Sequence, residues 1–183
     1  MNKRKLRILA FIFVLLFVVY NFLFSDFNPM FKDDEFVYLM TKLKETQKED
    51  LKFYVETYEK VQAKIKYKNK RCECEVAASY IGPYRHGWSI TKMIYIQKLA
   101  KEFKNNECLK FQFLNEDYLF GNKGIKDAAN FYFKKNLEQL NEEEKLTLIV
   151  MLDNPSLYNP IRRKEKVMNK VKLYKSILHE KHY

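Results

Sequence analysis

The chain has 183 residues, and its 34 Lys or Arg against 23 Asp or Glu give it a formal net charge of +11. This length accommodates one compact domain with a short additional segment, and it excludes two full domains. The low counts of 4 Gly and 4 Pro argue against a turn-rich sandwich or barrel and favour helices. The positive charge suits an anionic partner, such as nucleic acid, phospholipid headgroups or a pyrophosphate-bearing compound, without choosing among them.

An uncharged apolar run lies near the amino terminus. It covers residues 8–24 and follows a basic cluster that consists of Lys3, Arg4, Lys5 and Arg7. With its flanks the run approaches the roughly 20 residues that a helix needs to cross a bilayer. The basic cluster favours a cytoplasmic amino terminus. A cleaved signal peptide has the same charge polarity, but it has a shorter apolar core and a small-residue cleavage site, which this sequence lacks.

These features predict three segments: a cytoplasmic basic tail at 1–7, a transmembrane helix at 8–25 and an extracytoplasmic domain at 26–183. A domain outside the cytoplasm disfavours nucleic acid as a partner, despite the positive charge. The membrane is therefore the first partner that the sequence indicates.

The rest of the chain shows helical spacing of its apolar residues and no strong strand signal, so the predicted fold class is mainly α. From Asp33 to Lys68 the pattern leaves open one helix or two, with a break between Thr46 and Glu49. The segments that follow are predicted in this order: a loop with a short ordered piece at 67–87, a helix at 89–103, a turn region at 105–124, a helix at 125–135, a helix at 142–152 and a basic helix at 163–179.

Two finer predictions concern these helices. Asn141 and Glu144 have the spacing of a capping box, which predicts a helix that begins at Glu142. The predicted core residues on the helices at 89–103 and 163–179 include Met93, Ile96, Leu99, Ala100, Phe103, Val167, Val171, Leu173, Ile177 and Leu178.

The three cysteines suit an oxidising compartment. Cys72 and Cys74 are too close in sequence to pair comfortably with each other, so a disulfide from one of them to Cys108 is predicted, which leaves one thiol free. A zinc site that combines the cysteines with His86 is the alternative, although the Cys-x-Cys spacing is not that of a standard structural zinc set.

A series of short motifs in fixed order runs from Leu114 to Pro160. They are Leu114-Asn115, Phe120-Gly121, Gly124-Ile125, Ala128-Ala129, Tyr132-Phe133, Lys135, Leu140, Glu144, Pro155 and Tyr158-Asn159-Pro160. The series resembles the carboxy-terminal motifs of the peptidoglycan glycosyltransferases of family 51, and from Gly124 onward the spacing agrees without gaps. The resemblance implies a lysozyme-like helical domain behind the transmembrane helix.

The amino-terminal motifs of that family are matched in part. Glu49 to Phe53 resembles its Glu-Asp-x-x-Phe motif, although Glu56 stands where the family has His. Gly87 to Thr91 resembles the beginning of the second motif and Gln97 to Lys101 its end, with extra residues between the two halves. The third motif, Arg-Lys-x-x-Glu, has no counterpart, because the segment in which the family carries it is much shorter here.

The resemblance assigns roles to five residues. Glu49 is the implied catalytic base for the acceptor sugar hydroxyl, and Lys101 the implied contact to substrate phosphate. Gln97, Ser89 and Asn115 are the other implied substrate-binding residues. The residues indicate no metal ligands and no definite cofactor, and a divalent cation remains open.

The resemblance also implies a reaction: polymerisation of lipid II, the disaccharide-peptide on undecaprenyl pyrophosphate, in peptidoglycan synthesis. The implied location is the bacterial plasma membrane, with a single pass and other cell-wall synthesis proteins as potential partners. Because the third motif is missing, a catalytically degenerate, membrane-anchored binding or scaffold protein is the alternative. A third interpretation is a basic helical membrane protein whose helices resemble those of the family without belonging to it.

Overall fold

The computed structural model of this protein describes residues 3–65, 71–80 and 90–180. These residues are mainly helical and include no strand, only an isolated bridge between Asp117 and Lys123. The helices are α1 (Lys3–Leu23), α2 (Asp34–Thr46), α3 (Lys52–Ile65), α4 (Glu73–Ala78), α5 (Ile90–Glu102), α6 (Asn105–Asn115), α7 (Ile125–Phe133), α8 (Glu142–Asp153) and α9 (Lys164–His179), with short 3-10 turns at Pro29–Lys32 and Leu137–Gln139. The mainly α fold class is confirmed.

Helix α1 is long and apolar enough to cross a membrane, and it buries none of its residues against the domain. It begins at Lys3 rather than at residue 8, so the basic residues of the tail form its first turns. Lys and Arg are good helix formers, and nothing in the sequence separates them from the apolar run. An exposed apolar helix of this length is suited to lipid contact.

The chain remains folded where α1 leads into the domain. The side chain of Asn28 donates to the Leu23 carbonyl at 2.8 Å and accepts from the Met30 amide at 3.0 Å. Asp26 lies 2.6 Å from Lys98 of α5, which also contacts Glu102 at 2.8 Å. These contacts connect the exit of α1 directly to α5.

Two hydrophobic clusters form the core of the domain. One lies among α3, α7, α8 and α9, and the other among α2, α4 and α5. Helix α6 lies between them, because Leu109 and Phe113 pack in the first cluster while Cys108 and Phe111 pack in the second. A helix with apolar neighbours on both sides carries apolar residues around most of its circumference.

The prediction of a turn region at 105–124 is therefore wrong for its first half. Residues Asn105–Asn115 form α6, and only the segment after them turns. A helix packed on two sides lacks the one-sided apolar spacing by which amphipathic helices are recognised. Its start is marked by Glu107, whose carboxylate accepts from the Lys104 amide at 2.7 Å.

Over the described residues the other element predictions agree with the structure, apart from some residues assigned to the wrong face of a helix; most of the loop predicted at 67–87 lies outside the described residues. The stretch from Asp33 to Ile65 consists of two helices with a break after Thr46, and Asn141 with Glu144 forms the expected capping box of α8. The residues predicted as buried but exposed are Met93, Ala100 and Leu173. Helix α5 instead buries Lys92, Ile94, Tyr95 and Lys98. The face of α5 that packs against the domain is therefore rotated relative to the apolar stripe that the sequence predicts.

The predicted disulfide joins Cys74 of α4 to Cys108 of α6, and Cys72 is free and exposed. The bridge therefore fixes α4 against the central helix. Because Cys74 and Cys108 are bonded to each other, neither can be a zinc ligand, and His86 lies outside the described residues. The disulfide thus removes two of the four residues that were proposed as zinc ligands.

Candidate functional site

Two large clefts lie among the described residues. The first cleft, of about 660 Å³, is lined by α3, α4 and the segment after α8. The second cleft, of about 640 Å³, is lined by α2, the end of α4 and the segment after α6. The carboxyl-terminal end of α6 contributes to both.

The first cleft has both polar and apolar surface in its lining. Glu73 at the start of α4 is almost fully buried, and the side chain of Gln112 donates to its carboxylate at 2.7 Å and to its backbone carbonyl at 2.9 Å. Gln62 donates to Asp153 at 3.1 Å, while its own Oε1 is buried and accepts no hydrogen bond among the described residues. Arg71 is the cation in the lining that the structure describes. Such a lining offers both donors and acceptors to a polyhydroxylated ligand.

The second cleft contains Asn115, one of the residues assigned to substrate binding. Asn115 is the last residue of α6, and its side-chain amide donates to the Phe111 carbonyl at 2.9 Å. Lys123 supplies a positive charge, and Tyr38 and Tyr80 supply aromatic surface. The site prediction for Asn115 is therefore compatible with its position in a cleft.

Glu116 lines both clefts. It follows α6 directly, and the hydroxyl of Tyr80 donates a hydrogen bond to its Oε2. Burial raises the pKa of Glu116, and the hydrogen bonds from Tyr80 and from the Asp117 amide offset only part of that rise. Burial also raises the pKa of Tyr80 well above its usual value, with the Glu116 carboxylate as the second cause. Tyr80 therefore stays protonated as the donor.

A smaller recess of about 480 Å³ lies at the junction of α1 with the domain. It is lined by Gln97 and Lys101 of α5 and by Tyr20, Asn21, Phe24 and Ser25 at the exit of α1. Two of the predicted substrate-binding residues thus lie together, beside the end of the apolar helix. We call this the junction recess.

The junction recess has a fixed charge arrangement next to it. The hydrogen bond from Lys98 holds the pKa of Asp26 below its ordinary value, and the charge of Lys101 adds to this effect. Burial acts to lower the pKa of Lys98, but its hydrogen bonds to Asp26 and Glu102 outweigh burial and raise it. Lys98 is paired with two carboxylates. Lys101, by contrast, is the lysine of α5 that lines the recess.

Glu49 lies apart from these three cavities. It follows α2, its side chain is 40% exposed, and its carboxylate pairs with Lys126 of α7 at 2.7 Å. Its backbone carbonyl accepts from Lys110 at 2.9 Å. Glu49 lines neither cleft and does not line the junction recess. The structure thus brings Gln97 and Lys101 together, and it separates them from Asn115 and from Glu49. Ser89 lies outside the described residues.

The carboxy-terminal motif residues mainly hold the fold. Asn159 is fully buried, and its Oδ1 accepts from the amides of Ile161 and Arg162, both at 3.0 Å. Its side-chain amide donates to Tyr132, whose hydroxyl donates to the Tyr118 carbonyl at 2.7 Å. These contacts explain why such residues recur at fixed spacing: they connect α7 to the turn that precedes it and to the turn that follows α8.

Sequence reasoning missed Glu116, Tyr80 and Arg71 as cleft residues. Arg71 and Tyr80 belong to a segment that reads as a charged loop, and Glu116 lies in what reads as a turn. The one available signal was the position of Glu116 directly after the matched Leu114-Asn115 pair. No group of three or more His, Cys, Asp or Glu within the described ranges is arranged to hold a metal ion.

Comparison with known proteins identifies the family. A family model described as transglycosylase matches residues 87–179. Penicillin-binding protein 4 of Bacillus subtilis (strain 168) is 35% identical over 74 residues, which are 40% of this chain and only 12% of that protein. No solved structure gives a significant match. The matched region runs from before α5 to the end of α9, and so includes the end of α6, the motif residues of α7 and α8, and Lys101. The chain therefore belongs to the transglycosylase family, whose domain has the lysozyme-like helical fold.

Proposed function

We propose that this protein is a membrane-anchored peptidoglycan glycosyltransferase that polymerises lipid II. Family membership supports the reaction class, and the junction recess is the observation that carries the proposal. In this proposal α1 spans the plasma membrane once, the amino terminus is cytoplasmic, and the domain acts outside the cytoplasm. The basic residues at the start of α1 support this orientation.

The position of the junction recess suits a lipid-linked pyrophosphate. The lipid tail of such a substrate stays in the bilayer, so its pyrophosphate lies at the membrane surface. The recess lies where the apolar helix enters the domain, and Lys101 and Gln97 provide a cation and an amide there. A lysine ammonium beside a phosphate forms a charge-assisted hydrogen bond, which is stronger than a neutral one.

Glycosyl transfer needs two further contributions from the protein. A carboxylate must accept the proton of the attacking sugar hydroxyl, and cations must stabilise the negative charge that develops on the departing pyrophosphate. The motif match proposes Glu49 for the first role and Lys101 for the second. Asn115, Ser89 and Gln97 are proposed to bind the sugar and phosphate groups.

The proposal is tested with the purified full-length chain in lipid vesicles that contain lipid II with a fluorescent label. Polymeric glycan is the expected product of the wild-type protein. Lys101→Gln should weaken lipid II binding about 10-fold or more, because it removes one charge-assisted contact. Lys166→Gln, which removes an exposed lysine from α9, is the matched control and should bind like wild type. Well-folded wild-type protein that forms no polymer would refute the enzymatic function.

A second function is favoured by a specific observation. The carboxylate of Glu49 is paired with Lys126 and lines none of the three cavities, and the third family motif is missing. A binding or scaffold protein of the cell-wall machinery would need no base. It would bind lipid II through the junction recess, so Lys101→Gln would still weaken binding, but the wild-type protein would produce no glycan polymer.

A further inference from the structure

A cationic surface lies where the turn after α6 and helix α7 meet the segment after α8. At its centre the rings of Phe120 and Phe131 stack, with their centroids 5.5 Å apart. The guanidinium of Arg162 lies 4.9 Å from the centroid of Phe120, and the ammonium of Lys134 lies 5.4 Å from that of Phe131. We propose that this surface, which we call the stacked patch, binds a linear anionic polymer with repeating phosphodiester groups. The proposal goes beyond the proposed function and does not depend on whether the chain polymerises lipid II.

The cations of the stacked patch have no acidic partners in the part of the chain that the structure describes. The four exposed cations that share this property are Lys134, Arg162, Arg163 and Lys164. The adjacent Lys135 differs, because it pairs with Glu144 at 2.7 Å. From residue 161 to residue 175 the sequence contains one acidic residue, Glu165. The patch therefore presents a net positive charge that an external anion can neutralise.

The turn after α6 holds the exposed aromatic ring in place. Leu119 and Phe120 both have positive φ, 71° and 55°, where bulky side chains are uncommon. The carboxylate of Asp117 accepts from the Leu119 amide at 2.8 Å, and the side chain of Asn122 donates to the Leu119 carbonyl at 2.9 Å. The Phe120 ring is nevertheless 46% exposed. A cation held on a fixed ring loses less conformational freedom when it binds an anion.

The number of cations favours a polymer over a single phosphate. An exposed ion pair in water contributes little free energy on its own. A polymer with repeated charges engages several cations at once, so that each contact raises the effective concentration for the next. Arg162 and Arg163 can each donate two hydrogen bonds to the oxygens of one phosphate group. A phosphodiester chain therefore fits this surface better than a small anion does.

The position of the stacked patch separates it from the end of α1. Leu23 and Phe24 at the exit of α1 pack against the second hydrophobic cluster, whereas Tyr132, which follows Phe131 in α7, packs against the first. Helix α6 lies between these clusters, so the patch and the exit of α1 belong to different sides of the domain. This favours a polymer over the headgroups of the bilayer that α1 is proposed to span. The proposed orientation of α1 also places the domain outside the cytoplasm, away from nucleic acid.

The experiment measures binding of labelled poly(glycerol phosphate) to the full-length chain in phosphatidylcholine nanodiscs. Lys134→Gln combined with Arg162→Gln removes the two cations that lie over the rings, and we expect the Kd to rise at least about 10-fold. Lys44→Gln combined with Lys48→Gln is the matched control. It removes the same charge from two exposed lysines at the end of α2, and its Kd should stay within about 2-fold of wild type.

Phe120→Asn separates binding from stability. Asparagine adopts positive φ more readily than phenylalanine, which offsets the loss of the exposed ring contacts, so the melting temperature should stay within about 2 °C of wild type. Binding of the polymer should weaken about 3-fold or more, because Arg162 loses the ring that positions it. A lower melting temperature with unchanged binding would show that the ring has only a structural role, and it would contradict the proposal.

Two further outcomes would overturn the inference. The first is a Kd of the Lys134 and Arg162 double variant that equals that of its matched control. The second concerns vesicles with phosphatidylglycerol, which carry the same glycerol phosphodiester on a membrane surface. If wild type binds these vesicles and not the polymer, and the double variant loses that binding, the stacked patch is a membrane-binding surface instead.

Discussion

Gly124 and Gly121 provide a matched pair for testing how the turn after α6 is built. Both have positive φ, +85° and +78°. A methyl group on Gly124 would lie 2.4 Å from the backbone carbonyl oxygen of Leu114, whereas one on Gly121 would meet no atom within 4 Å. Gly124→Ala and Gly121→Ala therefore both place an alanine at positive φ, but they differ in steric overlap.

The expected magnitudes follow from these contacts. With ψ at 158°, Gly124 occupies a region that is almost restricted to glycine, and forcing an alanine there costs about 1–3 kcal/mol. Overlap with a backbone atom adds about 1–3 kcal/mol, since Leu114 belongs to the buried helix α6 and cannot move away freely. The sum is about 4 kcal/mol for Gly124→Ala. For Gly121→Ala only the backbone term of about 1–2 kcal/mol applies.

Thermal unfolding followed by circular dichroism in detergent measures the difference. At about 2–4 °C for each kcal/mol in a chain of this size, Gly124→Ala should melt at least about 5 °C below Gly121→Ala. Melting temperatures of the two variants within about 2 °C of each other would refute the steric argument.

Three further predictions concern stability. Replacing both Cys74 and Cys108 by Ala should cost about 4 kcal/mol, because the bridge closes a loop over a sequence separation of 34; chemical denaturation measures this. Asn141→Ala should cost about 1 kcal/mol through loss of the α8 cap, and the same denaturation curves would contradict it if they overlay those of wild type. The pKa of Asp26 is lowered in the folded state, so its contact with Lys98 stabilises the junction above the ordinary pKa of 3.8 and is lost as pH falls through the folded pKa. Hydrogen exchange at the exit of α1 should increase over that acid range, and no increase would contradict the role of this contact.

The elements that the sequence predicted well have local chemical signals. The capping residues Asn141 and Glu144 define where α8 begins, and the uncharged run predicts the apolar part of α1, although not its start at Lys3. Helix α6 has only the Glu107 cap at its start, and it lacks a one-sided apolar stripe because both of its sides are packed. The buried Lys98 shows the same limit: Glu102 lies one turn further along α5, but only the tertiary fold brings Asp26 to Lys98 and encloses a lysine that reads as solvated.

The candidate site was predictable only in part, for a related reason. Lys101 and Gln97 are four residues apart, so one helix places both at the junction recess. The clefts instead combine residues from helices that are distant in sequence, such as Glu73 with Gln112. Glu116 depends on Tyr80 for its orientation, and the separation of 36 residues between them gives no pattern that sequence reasoning can detect.

The segment that connects α1 to the domain is folded and is held in place by side-chain contacts. Asn28 holds the Leu23 carbonyl, and Lys98 holds Asp26, so the ten residues between Leu23 and Asp34 are folded rather than extended. If α1 spans a bilayer as proposed, a domain attached in this way keeps a constant height above the lipid headgroups and turns together with its helix. In that arrangement it would meet lipid-borne molecules by lateral diffusion in the plane of one leaflet, and molecules held well above that plane would be beyond its reach.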